Sequence, residues 1–239
     1  SQINIKLCLQ KFLLTTLKEL KHYRYAYFSF VSNTLSNRYR HSALGFFWTL
    51  ISPLLNLAIM VIIFSLVFKQ NPRFFGIYVF SALSPWGFIS SCLLQSPLVF
   101  INAENYIKKV HIPKFLFPLS LVSVEGLNFL FSMVSIYIIF LFLGAPLSWI
   151  MLLTPLAMII VFVFALGLCI ILSVAHVYFR DVFHITSVIV GALMFTIPIM
   201  YPVSAVPTQY QFIFTCNPFY YFINLFRIIL YDIRIPAWQ

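Results

Sequence analysis

The sequence predicts an all-α protein, a polytopic bundle of hydrophobic helices that crosses a lipid bilayer several times. Three observations predict it. Of 239 residues, 62% are hydrophobic and only 8% are charged, against about 25% charged in a soluble domain. The mean hydropathy is +0.98. The charges lie in short segments between uncharged runs, and those runs reach the roughly 20 apolar residues that a helix needs to cross a bilayer.

The elements follow in chain order as one transmembrane domain over residues 1–239. Lys6, Lys11, Lys18 and Lys21 interrupt the N-terminus, and no small-residue cleavage site follows, so this segment is expected to be permanent rather than a signal peptide. Ile5, Leu9, Phe12, Leu13, Leu17 and Leu20 fall broadly on one helical side with Lys11, Lys18 and His22 opposite. That pattern fits a helix lying along the membrane interface or one packed on a cytosolic partner.

Residues 43–68 carry no charge and form the first expected span. A second uncharged run, Phe74 to Ala103, contains Pro85 and Pro97 and places a span at about 76–100. Residues 118–143 form the third, with a single carboxylate, Glu125; the sequence Gly144-Ala145-Pro146 then predicts a turn before the fourth at about 149–177. From Val182 to Phe226 there is no Asp, Glu, Lys or Arg, which is too long for one span, and Pro198, Pro202, Pro207 and Pro218 break it. A fifth span is expected at about 184–200. Residues 201–231 are then either another complete span or a re-entrant pair of short helices, because broken backbone survives at membrane depth where protein or a water-filled cavity covers it.

The cations set the orientation. Seven Lys and Arg precede the first span (the four lysines above with Arg24, Arg38 and Arg40), three lie between spans two and three (Lys108, Lys109, Lys114), and Arg180 follows span four. Lys69 and Arg73 lie on the other side, joined at most by Arg227 and Arg234. The positive-inside bias therefore places the N-terminus, the 104–114 loop and the Arg180-Asp181 turn in the cytoplasm. The net charge of +10 is dispersed among these loops, which suits lipid headgroups and speaks against nucleic-acid binding.

No Walker-type phosphate loop, zinc-binding H-E-x-x-H or nucleophile elbow occurs in the sequence. No cofactor is expected in this chain, no metal site and no catalytic residue; any ATP and Mg would be held by another subunit. Four scattered cysteines, Cys8, Cys92, Cys169 and Cys216, read as small hydrophobes. His176 and His184 flank Arg180-Asp181 and read as interfacial residues rather than as a metal or proton site. Glu125, near the cytoplasmic end of its helix, is expected to pair with a Lys or Arg. The nearly charge-free spans argue against an ion-coupled carrier. Meanwhile 28 Phe, 13 Tyr and 4 Trp offer rings that can stack on sugars, although most must pack the core or face lipid.

Four segments carry a resemblance. Arg38-Tyr39-Arg40-His41-Ser42-Ala43-Leu44-Gly45-Phe46-Phe47-Trp48 followed by Ser52-Pro53, Asn105-Tyr106-Ile107-Lys108-Lys109-Val110-His111-Ile112-Pro113, Tyr178-Phe179-Arg180-Asp181-Val182, and Tyr201-Pro202 with Pro207 and Asn217-Pro218-Phe219 resemble, in order, segments of the ABC-2 type permeases that export bacterial polysaccharides such as O-antigen, capsule and teichoic acid. The resemblance covers nearly the whole chain. It implies the ABC-2 (type V exporter) fold, with an N-terminal interface helix and gate over residues 1–42, six spans, and re-entrant extracytoplasmic helices between the fifth and sixth. Here the sequence stops seven residues after Asp232, so either it is truncated before the sixth span, which is the expectation, or the last apolar stretch serves as that span.

The same resemblance implies a half-transporter of the bacterial inner membrane. Two copies line a channel and two ATP-binding subunits drive it, moving a lipid-linked polysaccharide; the chain itself is not an enzyme. Glu104, Asn105, Tyr106, Ile107, Lys108, Lys109, Val110, His111 and Pro113 would then couple to the ATP-binding subunit. Arg38 and Arg40 would either recognise the lipid carrier's pyrophosphate or anchor to anionic headgroups. Tyr201 and Tyr220 are the candidates for the channel exit. A permease for drugs or small lipids is the nearest alternative; a membrane-embedded glycosyl- or acyltransferase using His176, His184 and Asp181 belongs to another class.

Overall fold

A computed structural model describes residues 19, 21–39, 45–48, 51–52, 54–56, 58–59, 62–63, 72–143, 148–203 and 206–233. The expected N-terminal interface helix, Arg40, most of the run 43–68, the Gly144–Pro146 turn and the chain beyond 233 lie outside the described residues.

Among the described residues the structure is helical and contains no strand. Helix α1 is Arg24–Tyr39 and helix α2 is Pro72–Gln95. A 3-10 turn, Ser96–Leu98, and the single turn Val99–Asn102 continue α2 to the short helix α3, Glu104–Lys109. Helices α4 (Leu116–Leu143) and α5 (Thr154–Tyr178) run antiparallel; α6 (Val182–Thr196) and α7 (Pro218–Arg227) complete the bundle.

Three helical stretches are long and apolar enough to cross a membrane: Phe75–Lys109, Leu116–Ile138 and Trp149–Tyr178. The pair Thr208–Thr215 and Pro218–Asp232, bent by 95° at its break, has the composition of a further broken span or a re-entrant loop. Burial runs opposite to hydropathy among the three stretches, since the most apolar, Trp149–Tyr178, is the least buried. A soluble core would reverse that order, whereas lipid solvates an apolar exterior.

Local chemistry accounts for the boundaries. Helix α6 stops at Thr196 because Pro198 follows: Ile197 takes the extended conformation (φ −93°, ψ 130°) favoured before proline. Helix α7 starts with a side-chain cap and a proline, the Asn217 carbonyl accepting from the Phe219 N–H at 3.0 Å with Pro218 at the first helical position. It then loosens into a π-helical turn, Ile228–Asp232, closed by Ile233 at φ 53°.

An aromatic seam joins the bundle. Phe88 of α2 stacks on Phe129 of α4 (5.1 Å between ring centroids) and on Phe162 of α5 (6.5 Å), and Phe226 of α7 meets Phe129 edge-on at 5.5 Å. Small residues let the backbones approach: α5 buries Ala157, Val161, Ala165, Cys169 and Ser173 along one stripe. On α4, a Cβ at Gly126 would lie 3.3 Å from the Phe162 ring. At the far end of α4 the Tyr137 hydroxyl donates to Thr154 Oγ1 at 2.6 Å, fixing α4 to the start of α5.

Candidate functional site

Cations gather at one end of the bundle, where α2 and α5 finish and α4 begins. Arg38, Lys108, Lys109, Lys114 and Arg180 all belong to this basic end. Helix α3 lies at this end as the last part of the stretch Phe75–Lys109 and ends because β-branched Val110, extended at φ −133° and ψ 133°, and Pro113 beyond it disfavour further helix. Glu104 and Lys108 pair at helical i,i+4 spacing, with the acid on the N-terminal side. Asn105 and Lys109 are exposed, as are Val110 and His111, while Ile107 and Pro113 are half-buried.

Tyr106 points the other way, towards α1. Phe30 of α1 meets its ring edge-on at 5.3 Å and also lies 5.2 Å from Phe117 of α4. Helix α1 is fastened to α4 twice more. The Tyr27 hydroxyl donates to Ser123 Oγ at 2.7 Å, and the Arg38 guanidinium forms an ion pair with Glu125 at 2.6 Å. Thus α1 bridges α3 and the first third of α4.

Arg38 and Glu125 lie deeper than a headgroup contact. Glu125 is nine residues into α4, about 13 Å along the axis, and is 5% exposed. Its carboxylate accepts from Arg38, from Gln95 Nε2 at 2.8 Å and from Asn128 Nδ2 at 3.3 Å. Arg38 also donates to Gln95 Oε1 at 3.3 Å. The expected cationic partner of Glu125 is therefore Arg38, held within a four-residue polar cluster.

The opposite end carries a buried cation. Arg227, at the end of α7 and 5% exposed, donates to the carbonyls of Pro198 (2.7 Å) and Ile199 (3.4 Å), and its guanidinium carbon lies 3.9 Å from the ring centroid of Tyr78. The Tyr78 hydroxyl in turn donates to the Tyr201 carbonyl at 3.0 Å. Tyr201 and Tyr220 are both half-buried and both lie against Phe214, at 6.4 and 5.9 Å. The Tyr201 hydroxyl donates to the Phe195 carbonyl at 2.9 Å.

Sequence reading brought Tyr201 and Tyr220 forward but missed the Tyr78–Arg227 clamp beside them. The signal was present: Arg227 is the first cation after a 45-residue stretch with no Asp, Glu, Lys or Arg, Val182 to Phe226, and an ionisable residue in such a place marks a specific partner. Gln95 and Asn128 were likewise readable as polar residues within apolar runs. Among the described residues, no three His, Cys, Asp or Glu side chains gather as a metal site. His176 is buried while His184 and Asp181 are exposed.

Apolar surfaces outside, polar groups neutralised inside and cations at one rim define a multi-pass helical membrane protein. Comparison with known proteins makes this specific. The family model for the ABC-2 type transporter matches residues 25–231, and the chain belongs to that family. It is 30% identical over 221 residues to the O-antigen export system permease protein RfbA of Myxococcus xanthus, covering 92% of this chain and 85% of that protein. Two Klebsiella pneumoniae proteins of the same name are 33% and 32% identical over 187 residues, 77% of this chain and 71% of each.

Proposed function

We propose that the chain is the membrane-spanning permease subunit of an ATP-driven exporter that carries a lipid-linked polysaccharide across the bacterial inner membrane. Two copies would enclose the path, and two ATP-binding subunits holding ATP and Mg would drive it from the cytoplasm, the side assigned to the basic end by the distribution of Lys and Arg. The names of its relatives support the polysaccharide. Glu125, the carboxylate buried in the described part of the bundle, is already paired with Arg38, which supports an external energy source over ion coupling.

The observation that carries the reading is the placement of α3. Asn105 and Lys109 face outward for a partner, whereas Tyr106 touches Phe30, so a push on α3 reaches α1 and, through Arg38–Glu125, the interior of the bundle. The segment Glu104–Pro113 is the coupling element in this reading. Arg38 and Arg40 are the candidates for the carrier's pyrophosphate, with Glu125 and Gln95 orienting the Arg38 guanidinium. Tyr201 and Tyr220 would offer the leaving glycan shallow, exchangeable ring contacts.

Proteoliposomes containing the chain and its ATP-binding subunit test this. ATP-dependent movement of a lipid-linked glycan is expected, together with hydrolysis stimulated by that glycan. Charge reversal of Lys108 and Lys109 should reduce copurification of the ATP-binding subunit and uncouple hydrolysis. Glycan movement that persists without ATP, or hydrolysis stimulated by small apolar drugs but not by glycan, would sink the reading.

A further inference from the structure

A cavity of about 390 Å³ opens at the basic end between α3 and the end of α5. Its polar wall carries the cations Lys108, Lys114 and Arg180 together with His176, with Glu104 as the acidic residue already paired to Lys108. Among the described residues neither Lys114 nor Arg180 has a carboxylate within ion-pair distance. His176 is 4% exposed, and its Nδ1 is buried with no hydrogen-bond partner. His176 thus lines a cavity shared with two cations that have no carboxylate partner among the described residues, and its orphaned buried ring nitrogen is itself costly.

The other wall is apolar and belongs to the helices that cross the membrane. Ile101, Val174 and Val177 line it with large exposed surfaces, and Tyr178 stands at its rim, 76% exposed. A cytosolic protein supplying carboxylates would match the cations but not this hydrocarbon wall, which lies one helical turn inward from the rim. An amphiphile with an anionic head matches both. Helix α3 is also divided suitably, since Glu104, Ile107 and Lys108 face the cavity and leave Asn105 and Lys109 for another contact.

We propose that this cavity is a binding site for an anionic phospholipid of the surrounding bilayer, its phosphate held by Lys114, Arg180 and His176 and its acyl chains along Val174 and Val177. The proposal goes beyond the export reading and requires only that the basic end meet a membrane surface. Basic pockets between helix ends recognise headgroups through charge-assisted hydrogen bonds. A lipid seated there would also wedge α3 against α5 and so hold the angle of the coupling segment.

The test uses the full chain in phosphatidylcholine nanodiscs doped with phosphatidylglycerol, with retained lipid counted by native mass spectrometry. Wild type should retain phosphatidylglycerol in preference to phosphatidylcholine. Lys114→Gln with Arg180→Gln should weaken that retention about thirtyfold, the combined effect of two interfacial cations on an anionic headgroup. His176→Gln, which keeps a polar group but loses the ring, should weaken it separately. Lys21→Gln with Arg24→Gln removes the same charge outside the cavity and should leave retention intact; an equal loss there would show diffuse attraction and overturn the site. Displacement by soluble glycerophosphate at concentrations comparable to the lipid would show a soluble ligand instead. If the cavity variants keep phosphatidylglycerol and lose the ATP-binding subunit, the surface belongs to a protein partner and the proposal fails.

Discussion

Arg38 reaches a buried carboxylate from the exposed side of α1 and Arg227 is buried outright, and the two are neutralised in opposite ways. Arg38 meets a carboxylate, Glu125, in a cluster with Gln95. Arg227 meets no carboxylate among the described residues; it is held by two main-chain carbonyls and the face of Tyr78. An ion pair can be broken and remade, since each member is a discrete side chain on a separate helix. The carbonyl cradle is formed by the loop between α6 and the bent pair, so the Arg227 side chain ties α7 to main chain. The difference assigns adjustable chemistry to the basic end and fixed chemistry to the opposite end.

Substituting Arg38 should have the largest effect. Arg38→Met leaves Glu125 buried with only amide donors, and breaking a buried pair from one side costs about 3 kcal/mol, the low end of the usual range because Arg38 is one-third exposed. Adding Glu125→Met should recover most of that loss, because an apolar pair of similar volume carries no desolvation penalty. Unfolding in detergent titrated with dodecyl sulfate measures both variants. A double variant no more stable than Arg38→Met alone would remove the ion pair from the comparison.

Arg227→Met should cost less, about 2 kcal/mol, since the bare carbonyls of Pro198 and Ile199 are costly while relief of a buried guanidinium offsets part of the loss. No second substitution should rescue it. In particular Asp232→Asn, which neutralises the nearest carboxylate in sequence, should leave the deficit unchanged in the same titration. Rescue by Asp232→Asn would mean that Arg227 is an ion-pair residue after all, and the two ends would no longer differ in kind.

How far the two ends could be read from sequence differs for the same reason. The ion pair was half legible: Glu125 stands alone in an apolar run and so demands a cation, but only packing of α1 onto α4 selects Arg38. The clamp on Arg227 was not legible, because its acceptors are main-chain carbonyls that every residue possesses, and only the Pro198 break exposes them. Helix type and the long apolar runs were legible throughout, since hydrophobic length is a one-dimensional property. The sequence placed a fifth span at about 184–200, whereas α6 ends at Thr196, two residues before Pro198. What periodicity could not supply was facing, because lipid and core are equally apolar; this is why Phe88, Phe129 and Phe162 were not distinguishable from the lipid-facing rings.

Tyr78 separates the two components of the clamp. Tyr78→Phe keeps the ring over Arg227 and removes the hydroxyl that donates to the Tyr201 carbonyl, so about 1 kcal/mol is expected. Tyr78→Leu also removes the ring face and should cost roughly another 1 kcal/mol. Equal losses for the two variants would show that the ring contributes nothing, leaving the carbonyls as the whole of the cradle.

The smallest effect is expected at Tyr27, and it bears on whether the basic end is adjustable. Helix α1 is held to α4 by the Tyr27–Ser123 hydrogen bond, the Phe30–Phe117 ring contact and the Arg38–Glu125 pair, and to α3 by the Phe30–Tyr106 contact. Tyr27→Phe deletes one half-buried hydrogen bond and should reduce global stability by only about 0.5 kcal/mol. Local opening is a different quantity, because an element fastened at few points detaches long before the bundle unfolds. Hydrogen exchange along residues 24–36 should therefore quicken by about twofold, the factor set by the same free energy, while exchange in α4 and α5 stays as it was. Arg38→Met should quicken the same amides far more, since it removes the stronger fastening. If Tyr27→Phe speeds exchange in α1 and α4 together, then α1 is an integral part of the core rather than a detachable strap, and a push arriving through Tyr106 would have nothing to move.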